Sequence, residues 1–397
     1  MKKLLLALAA TTMLTGSAFA ASHSPVKIGV ILGFTGPLES ITPHMADAAE
    51  LAMKEVSDSG MFLDGATVEP VRSDSTCIDA AAATAAAERL VTSDKVAAIM
   101  GADCSGVTGA ILQNVARPNG IVMISPSATS PGLSTAEDDG LFFRTSPSDA
   151  RQGEVLATIL KEKGITSVAV TYTNNDYGKG FSDAFSASFE GMGGSITLNA
   201  PHEDGKGDYS AEVGALAQAG GEVLVVLGYT DQGGKGIIQG ALDAGAFDKF
   251  AMGDGMYGDK LLADVGAGMN GTIGTVPWAE GEGADAFVKL SAEAGNNSES
   301  SYTRESYDAA ALLLLAMQKG GAATSEAAKA NIMDIANAPG EKILPGELGK
   351  ALEILKNGGD IDYVGATNVE LIGPGEASGT YREYEVRDGK YETVKIR

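Results

Sequence analysis

Twice along this chain, short β-branched runs alternate with stretches of helical spacing, and that double alternation restricts the fold more than any other feature. The first series runs Val26–Leu32 (strand), 46–56 (helix), 68–73 (strand), 80–91 (helix), 96–100 (strand), 107–116 (helix) and 121–125 (strand). The second takes up the pattern with a helix over 151–161, strands over 168–172, 196–199, Val223–Leu227 and Phe250–Met252, and helices over 181–192, 209–219 and 236–244 between them. Strands alternating with helices of this length are βαβ units, which bury a parallel sheet between helical layers. The chain is therefore expected to be α/β, with two Rossmann-like lobes. Its 397 residues also exceed the span of one ordinary domain.

Residues 284–355 read as mostly helical, and the tail alternates over 381–396 about Asp388-Gly389, the pattern of a closing hairpin. No low-complexity linker divides the lobes. Pro147 and Pro277 stand at the expected crossings, so the hinge is read as short and defined. The expected division places 25–146 and about 277–360 in the first lobe, and 147–276 and about 361–397 in the second. Ligands of open α/β sheets bind beyond the carboxyl ends of the strands. Two lobes so arranged face each other across a cleft that closes by a hinge.

The first twenty residues read as a secretory signal. Met1-Lys2-Lys3 is basic, Leu4 to Met13 is almost wholly apolar, and Ala18-Phe19-Ala20 fits small-x-small cleavage. The apolar stretch is too short to span a bilayer; a buried first helix is the structural alternative. No Cys stands at the cleavage point to carry a lipid, so a soluble periplasmic product is expected. Cleavage would remove Lys2 and Lys3 and no acid, which makes the formal charge of −23 more negative still. Such a surface repels nucleic acid and anionic membranes. Leu312–Leu315 lies in an amphipathic helix and is also too short to span.

Catalytic motifs are missing. The chain has three histidines, His23, His44 and His202, with no H-E-x-x-H and no paired C-x-x-C, so neither a metal nor a cofactor is expected. Gly101 to Gly106 is not a nucleophile elbow. Gly33-Phe34-Thr35-Gly36-Pro37 lacks the dinucleotide fingerprint, and Lys235 falls one place out of P-loop spacing. The two cysteines, Cys77 and Cys104, are most simply a disulfide in an oxidising compartment. A catalytic Cys104 would need a free thiolate and a base.

What remains is hydroxyls, aromatics and one acid at strand ends. Ser105 precedes a helix that it can cap while backbone N–H groups face a carboxylate, and Ser127-Ala128-Thr129 follows the neighbouring strand. Each could equally be only a cap or a turn. In the second lobe Tyr177, Tyr229 and Asp254 end three strands. Tyrosines can cover a zwitterion, and an acid beside them can hold an ammonium; as structural alternatives they are edge aromatics and a turn former.

These residues bring out a resemblance. Ile28-Gly29 with Thr35-Gly36-Pro37, Gly101 to Ser105, Ile124 to Thr129, Asp176-Tyr177-Gly178 and Tyr307-Asp308-Ala309 resemble the periplasmic binding proteins of branched-chain amino acid ABC transporters. The likeness to this leucine/isoleucine/valine-binding type extends from about Val26 to the C-terminus. It implies the type I periplasmic-binding fold, a disulfide between Cys77 and Cys104, and a ligand-carboxylate site on Ser105, the Ser127–Ala128 backbone and Thr129. It further implies pocket tyrosines at Tyr177 and Tyr229 and an ammonium-holding acid at Asp254, whose Gly-Asp-Gly setting is one residue out of register. The first-loop tyrosine of leucine-binding members has no counterpart: Ile41 stands there, with Glu39 and Ser40 beside it. Relatives of this fold take other amino acids, amides, aromatic acids and urea, so the ligand stays open. The resemblance implies a non-enzymatic monomer that delivers a small amino-acid-like ligand to a membrane permease, or, as the alternative, a sensory module reporting to a receptor. A secreted hydrolase is the remaining option.

Overall fold

A computed structural model describes residues 24–397. The expected signal segment and His23 lie outside the described residues. The first lobe is built on β1 (Val26–Leu32), β2 (Val68–Asp74), β3 (Ala98–Gly101), β4 (Met123–Ser125) and β5 (Phe142–Arg144), all parallel. The second is built on β6 (Ser167–Thr173), β7 (Ser195–His202), β8 (Val223–Leu227), β9 (Phe250–Met252) and β10 (Ile273–Pro277), parallel in the same way. Each sheet runs 2-1-3-4-5 in its own strand numbering. The order reverses beside the first strand, so a crevice opens there at the strand ends, between the first and third strands of each lobe. Both crevices meet at the interface.

The remaining strands are β11 (Glu341–Ile343) and β12 (Ile361–Tyr363), which form a separate parallel ladder, then β13 (Leu371–Ile372), β14 (Glu376–Ala377), β15 (Tyr381–Arg387) and β16 (Lys390–Ile396). The expected hairpin is present as β15 and β16, antiparallel on β10. The division of the tail differs from the expected one. β14 pairs with β5 and carries β13 with it, so residues 371–377 complete the first sheet rather than the second. Arg144 supplies the physical reason. Its guanidinium is buried at the end of β5, donates to the carbonyls of Ala128 and Ser130, and needs an anion, which Glu376 provides. β10 likewise keeps Pro277 in the second sheet.

Three segments therefore cross between lobes, around 145–148, 278–281 and 378–380, where two prolines had marked two. They are tied together. Trp278 N–H donates to Thr380 O (3.0 Å), the Thr380 hydroxyl donates back to Trp278 O (2.5 Å), and Gly379 lies so close to Pro147 that a Cβ would sit 2.6 Å from its Cγ. Arg304 from the first lobe and Arg382 from the second stack on the Trp278 ring, 3.9 and 4.6 Å from its centroid.

The helix Thr303–Gly320 is buried from Thr303 to Gln318 and packs against the helix Thr42–Ser59. No helix among the described residues is long and apolar enough to cross a membrane. Cys77 and Cys104 form a disulfide that ties the turn after β2 to the turn after β3. Closing a loop of 27 residues stabilises by about 3 kcal/mol in the chain-entropy model. Replacing both cysteines by serine is expected to lower the urea-unfolding free energy by about that amount; no change would show that the unfolded chain is already constrained there.

Candidate functional site

The first wall grows from the ends of β3 and β4. Gly101 has φ +127°, and a Cβ there would lie 2.2 Å from Ile31 O, so only glycine lets the chain turn here. Asp103 follows. Its buried carboxylate accepts from Gly33 N–H (3.0 Å) and the Ser75 hydroxyl (2.8 Å), while burial holds its pKa above the usual range. Cys104 is the helix N-cap, and Ser105 is the first helical residue. The expected capping role for Ser105 is thus corrected: its Oγ accepts from Ser130 N–H at 3.1 Å, and its hydroxyl hydrogen remains for another acceptor.

The backbone donors expected at Ser127 and Ala128 are used internally. Ser125 Oγ accepts from Ala128 N–H at 2.9 Å and from Ser127 N–H at 3.3 Å, and itself donates to Ala102 O. Ser127 Oγ donates to Asp103 O. Thr129, by contrast, is fully buried, its hydroxyl beside the Asp149 carboxylate without a hydrogen bond of ordinary geometry. The first wall therefore offers Ser105 and Thr129 as hydroxyl donors on adjacent turns.

In the second wall, Asn175 caps its helix by accepting Gly178 N–H (3.0 Å) and hands its amide to the Tyr229 hydroxyl (3.2 Å). Tyr177 and Tyr229 stack, centroids 5.2 Å apart and planes 18° from parallel, both buried. Tyr177 OH donates to Asp254 Oδ1 at 2.9 Å and accepts from Gly255 N–H at 3.1 Å. Asp254 sits in a turn just past β9, 2 % exposed. Burial pushes its carboxyl pKa up, and the hydroxyls of Tyr302 and Tyr177 pull against that.

Tyr302 is the residue that sequence reasoning missed. It belongs to the first lobe, just ahead of the helix Thr303–Gly320, and donates its phenol across the cleft to Asp254 Oδ2. Its φ of +62° lies in the left-handed region, which costs a non-glycine residue about 1 kcal/mol or more. The cross-lobe bond and surrounding burial hold it there. An aromatic placed just before a helix, after the polar run 296–301, was the available signal.

Asp149, at the start of the helix Asp149–Glu162, is a second buried acid in reach of Asp254. The lobes are closed on each other. Ser40 N–H donates to Asp231 Oδ2 (2.9 Å), Asp231 N–H to Pro37 O (3.1 Å) and Ser301 Oγ to Tyr257 O (2.9 Å). Ile41 is buried and, with Ser40, His44, Tyr257, Gly258 and Ser301, borders a cavity of about 60 Å³ at one rim. Glu39, beside it on the same loop, is exposed. Cys77, Asp103 and Cys104, the one cluster of metal-type ligands among the described residues, has its sulfurs committed to the disulfide.

Comparison with known proteins agrees with this geometry. Residues 25–343 match the family model described as periplasmic binding protein. The Leu/Ile/Val-binding protein homolog 1 of Brucella melitensis is 32% identical over 321 residues, 79% of this chain and 83% of the relative. Among solved structures, the substrate-binding protein LivJ of a Streptococcus pneumoniae branched-chain amino acid transporter, in complex with isoleucine, superposes with a TM-score of 0.77 at 23% identity, covering 94% of this chain and 99% of that one. A solute-binding protein of an ABC transporter from R. palustris, in complex with 4-hydroxybenzoate, gives 0.75 at 20% identity, covering 94% and 97%. Two like-ordered α/β lobes closed over a buried cleft, with relatives that are solute-binding proteins and not enzymes, place this chain in the periplasmic binding protein family.

Proposed function

We propose that the chain is the periplasmic solute-binding component of an ABC importer and that it carries a small amino acid or a close analogue. The observation that carries the reading is Asp254, buried between the Tyr177 and Tyr302 hydroxyls from opposite lobes. An amino acid offers the complement: an ammonium for the acid, and a carboxylate for the hydroxyls of Ser105 and Thr129. Because Tyr302 and Asp254 lie on different lobes, a ligand seated between them adds to the closed state directly. Closure is then what a membrane permease reads. The Brucella relative's name and the isoleucine-bound neighbour support an amino acid; the 4-hydroxybenzoate-bound neighbour shows that the fold itself does not impose one. Ile41, in place of an aromatic on the first loop, shapes the rim against the side chain of the ligand.

Micromolar binding corresponds to about 8 kcal/mol, within reach of several charge-assisted bonds in a dry cleft. The test is a thermal-shift screen over amino acids, amides and aromatic acids. A ligand at 100 times its Kd stabilises by about 2.7 kcal/mol, enough to raise the melting temperature by about 3 °C. Failure of every amino acid, with an aromatic acid giving the shift, would replace this ligand class. Ser105→Ala is expected to weaken the binding found in the screen about tenfold by calorimetry without lowering the melting temperature of the free protein by more than 2 °C, through the loss of one charge-assisted bond.

A further inference from the structure

Asp149 stands out among the buried polar groups. It is 0 % exposed, and neither of its carboxylate oxygens makes a hydrogen bond of ordinary geometry. Two other buried acids are well supplied: Asp103 accepts two bonds and Asp308 four. A buried carboxyl without partners is costly and calls for a ligand or a neutral form.

Its surroundings identify where it faces. Asp149 N–H is bonded to Thr129 O (2.9 Å), and the Thr129 hydroxyl, itself without a bond of ordinary geometry, is the neighbour that favours its ionised form. The charge of Asp149 is felt at Asp254, Tyr177, Tyr302 and Tyr381, which come from both lobes and from the tail. Among the described residues Arg144 is the cation that acts on it, and that guanidinium is already committed to Ala128, Ser130, Ser134 and Glu376. Asp149 thus sits beside Thr129, with its charge reaching the Asp254–tyrosine cluster.

We propose that Asp149 is a second ligand-binding carboxylate, which with Asp254 takes the protonated amine of the ligand and so restricts the cleft to amine-bearing ligands. The proposal rests on the reading above and sharpens its substrate class. Asp254 already receives two phenol hydrogens, one on each oxygen. An ammonium has three donors, and Asp149 supplies two acceptor atoms whose hydrogen-bonding neighbour in the protein is the Thr129 hydroxyl, short of ordinary geometry. Burial and the charge of Asp254 both favour a neutral Asp149 in the free protein. When the amine arrives, that carboxyl gives its proton to solvent and the ammonium keeps its own three. A carboxylic acid lacking nitrogen leaves Asp149 unpartnered, and the site rejects it.

The test pairs each of several amino acids with the 2-oxo acid of the same side chain, together with benzoate, and measures Kd by competition calorimetry for the wild type and Asp149→Asn. The wild type is expected to bind an amino acid at least thirtyfold more tightly than its 2-oxo acid. D149N should lose at least tenfold on the amino acid and less than threefold on the 2-oxo acid. Asp149→Ser serves as the second variant should the amide fail to fold. Equal weakening of both ligands, undiminished amino acid binding by D149N, or a 2-oxo acid that binds as well as its amino acid each overturns the assignment while leaving a solute-binding function in place. Absence of binding by every amino acid overturns the functional reading together with it.

Discussion

Replacing Asp254 by alanine is expected to weaken binding of the amino acid found in the screen by at least a hundredfold, about 3 kcal/mol, while the free protein still unfolds cooperatively. The acid is buried, two phenols favour its ionised form against that burial, and under the proposed function its loss strips the cleft of an anion for the ligand's ammonium and leaves Tyr177 and Tyr302 without their shared acceptor. The penalty therefore has two parts. One is the missing charge-assisted bond. The other is the loss of the tie that joins Tyr302, on the first lobe, to the second. Asp254→Asn keeps an acceptor for one phenol and should fall between wild type and alanine. Calorimetry that finds D254A binding within threefold of wild type would remove Asp254 from the site.

The second large effect concerns stability and pH. Glu305 is buried beside the crossings, next to Trp278 and Thr380, and burial lifts its pKa to about 8, with its own backbone N–H and Arg304 pulling the other way. In the unfolded chain the same carboxyl titrates at its ordinary value near 4.5. The folded state thus binds a proton that the unfolded state has already released. Its contribution is full below pH 4.5 and is lost as pH rises towards 8, at about 1.4 kcal/mol per unit where the two states differ. Asp308, lifted to about 6 by burial against its four hydrogen bonds, acts in the same direction over a lower window. The protein is expected to be more stable at pH 6 than at pH 8. Glu305→Gln, neutral at both values, should flatten that difference and raise stability at pH 8 by of order 3 kcal/mol. Denaturant melts of both proteins at the two pH values decide it; a variant with the wild-type slope would place the titration elsewhere.

The fold was legible because each lobe repeats strong local signals, β-branched runs of five to seven residues set between helices. The tail was not, because β13 and β14 are two residues each and show no periodicity. Their place follows from the need of Arg144 for Glu376, a pairing 232 residues apart. The site was legible in part. Strand ends pointed to Ser105, Thr129, Tyr177, Tyr229 and Asp254, since loops past parallel strands converge on the crevice. Sequence could not show that the Ser125 hydroxyl would occupy the Ala128 N–H, or that Tyr302 would reach across from the other lobe. Asp149 reads as an ordinary first-turn acid of a helix; only its lack of bonds in the folded chain marks it out.

The crossings carry a mechanical consequence. Three strands of backbone run between the lobes, two of them laced by paired Trp278–Thr380 hydrogen bonds, the third pressed by Gly379 on Pro147, with arginines from both sides clamping one indole. A bundle bonded sideways in this way resists torsion and shear far more than bending. Relative motion of the two halves is then reduced to a single coordinate, an opening angle, and occupancy of the cleft is converted into one geometric variable at the rims.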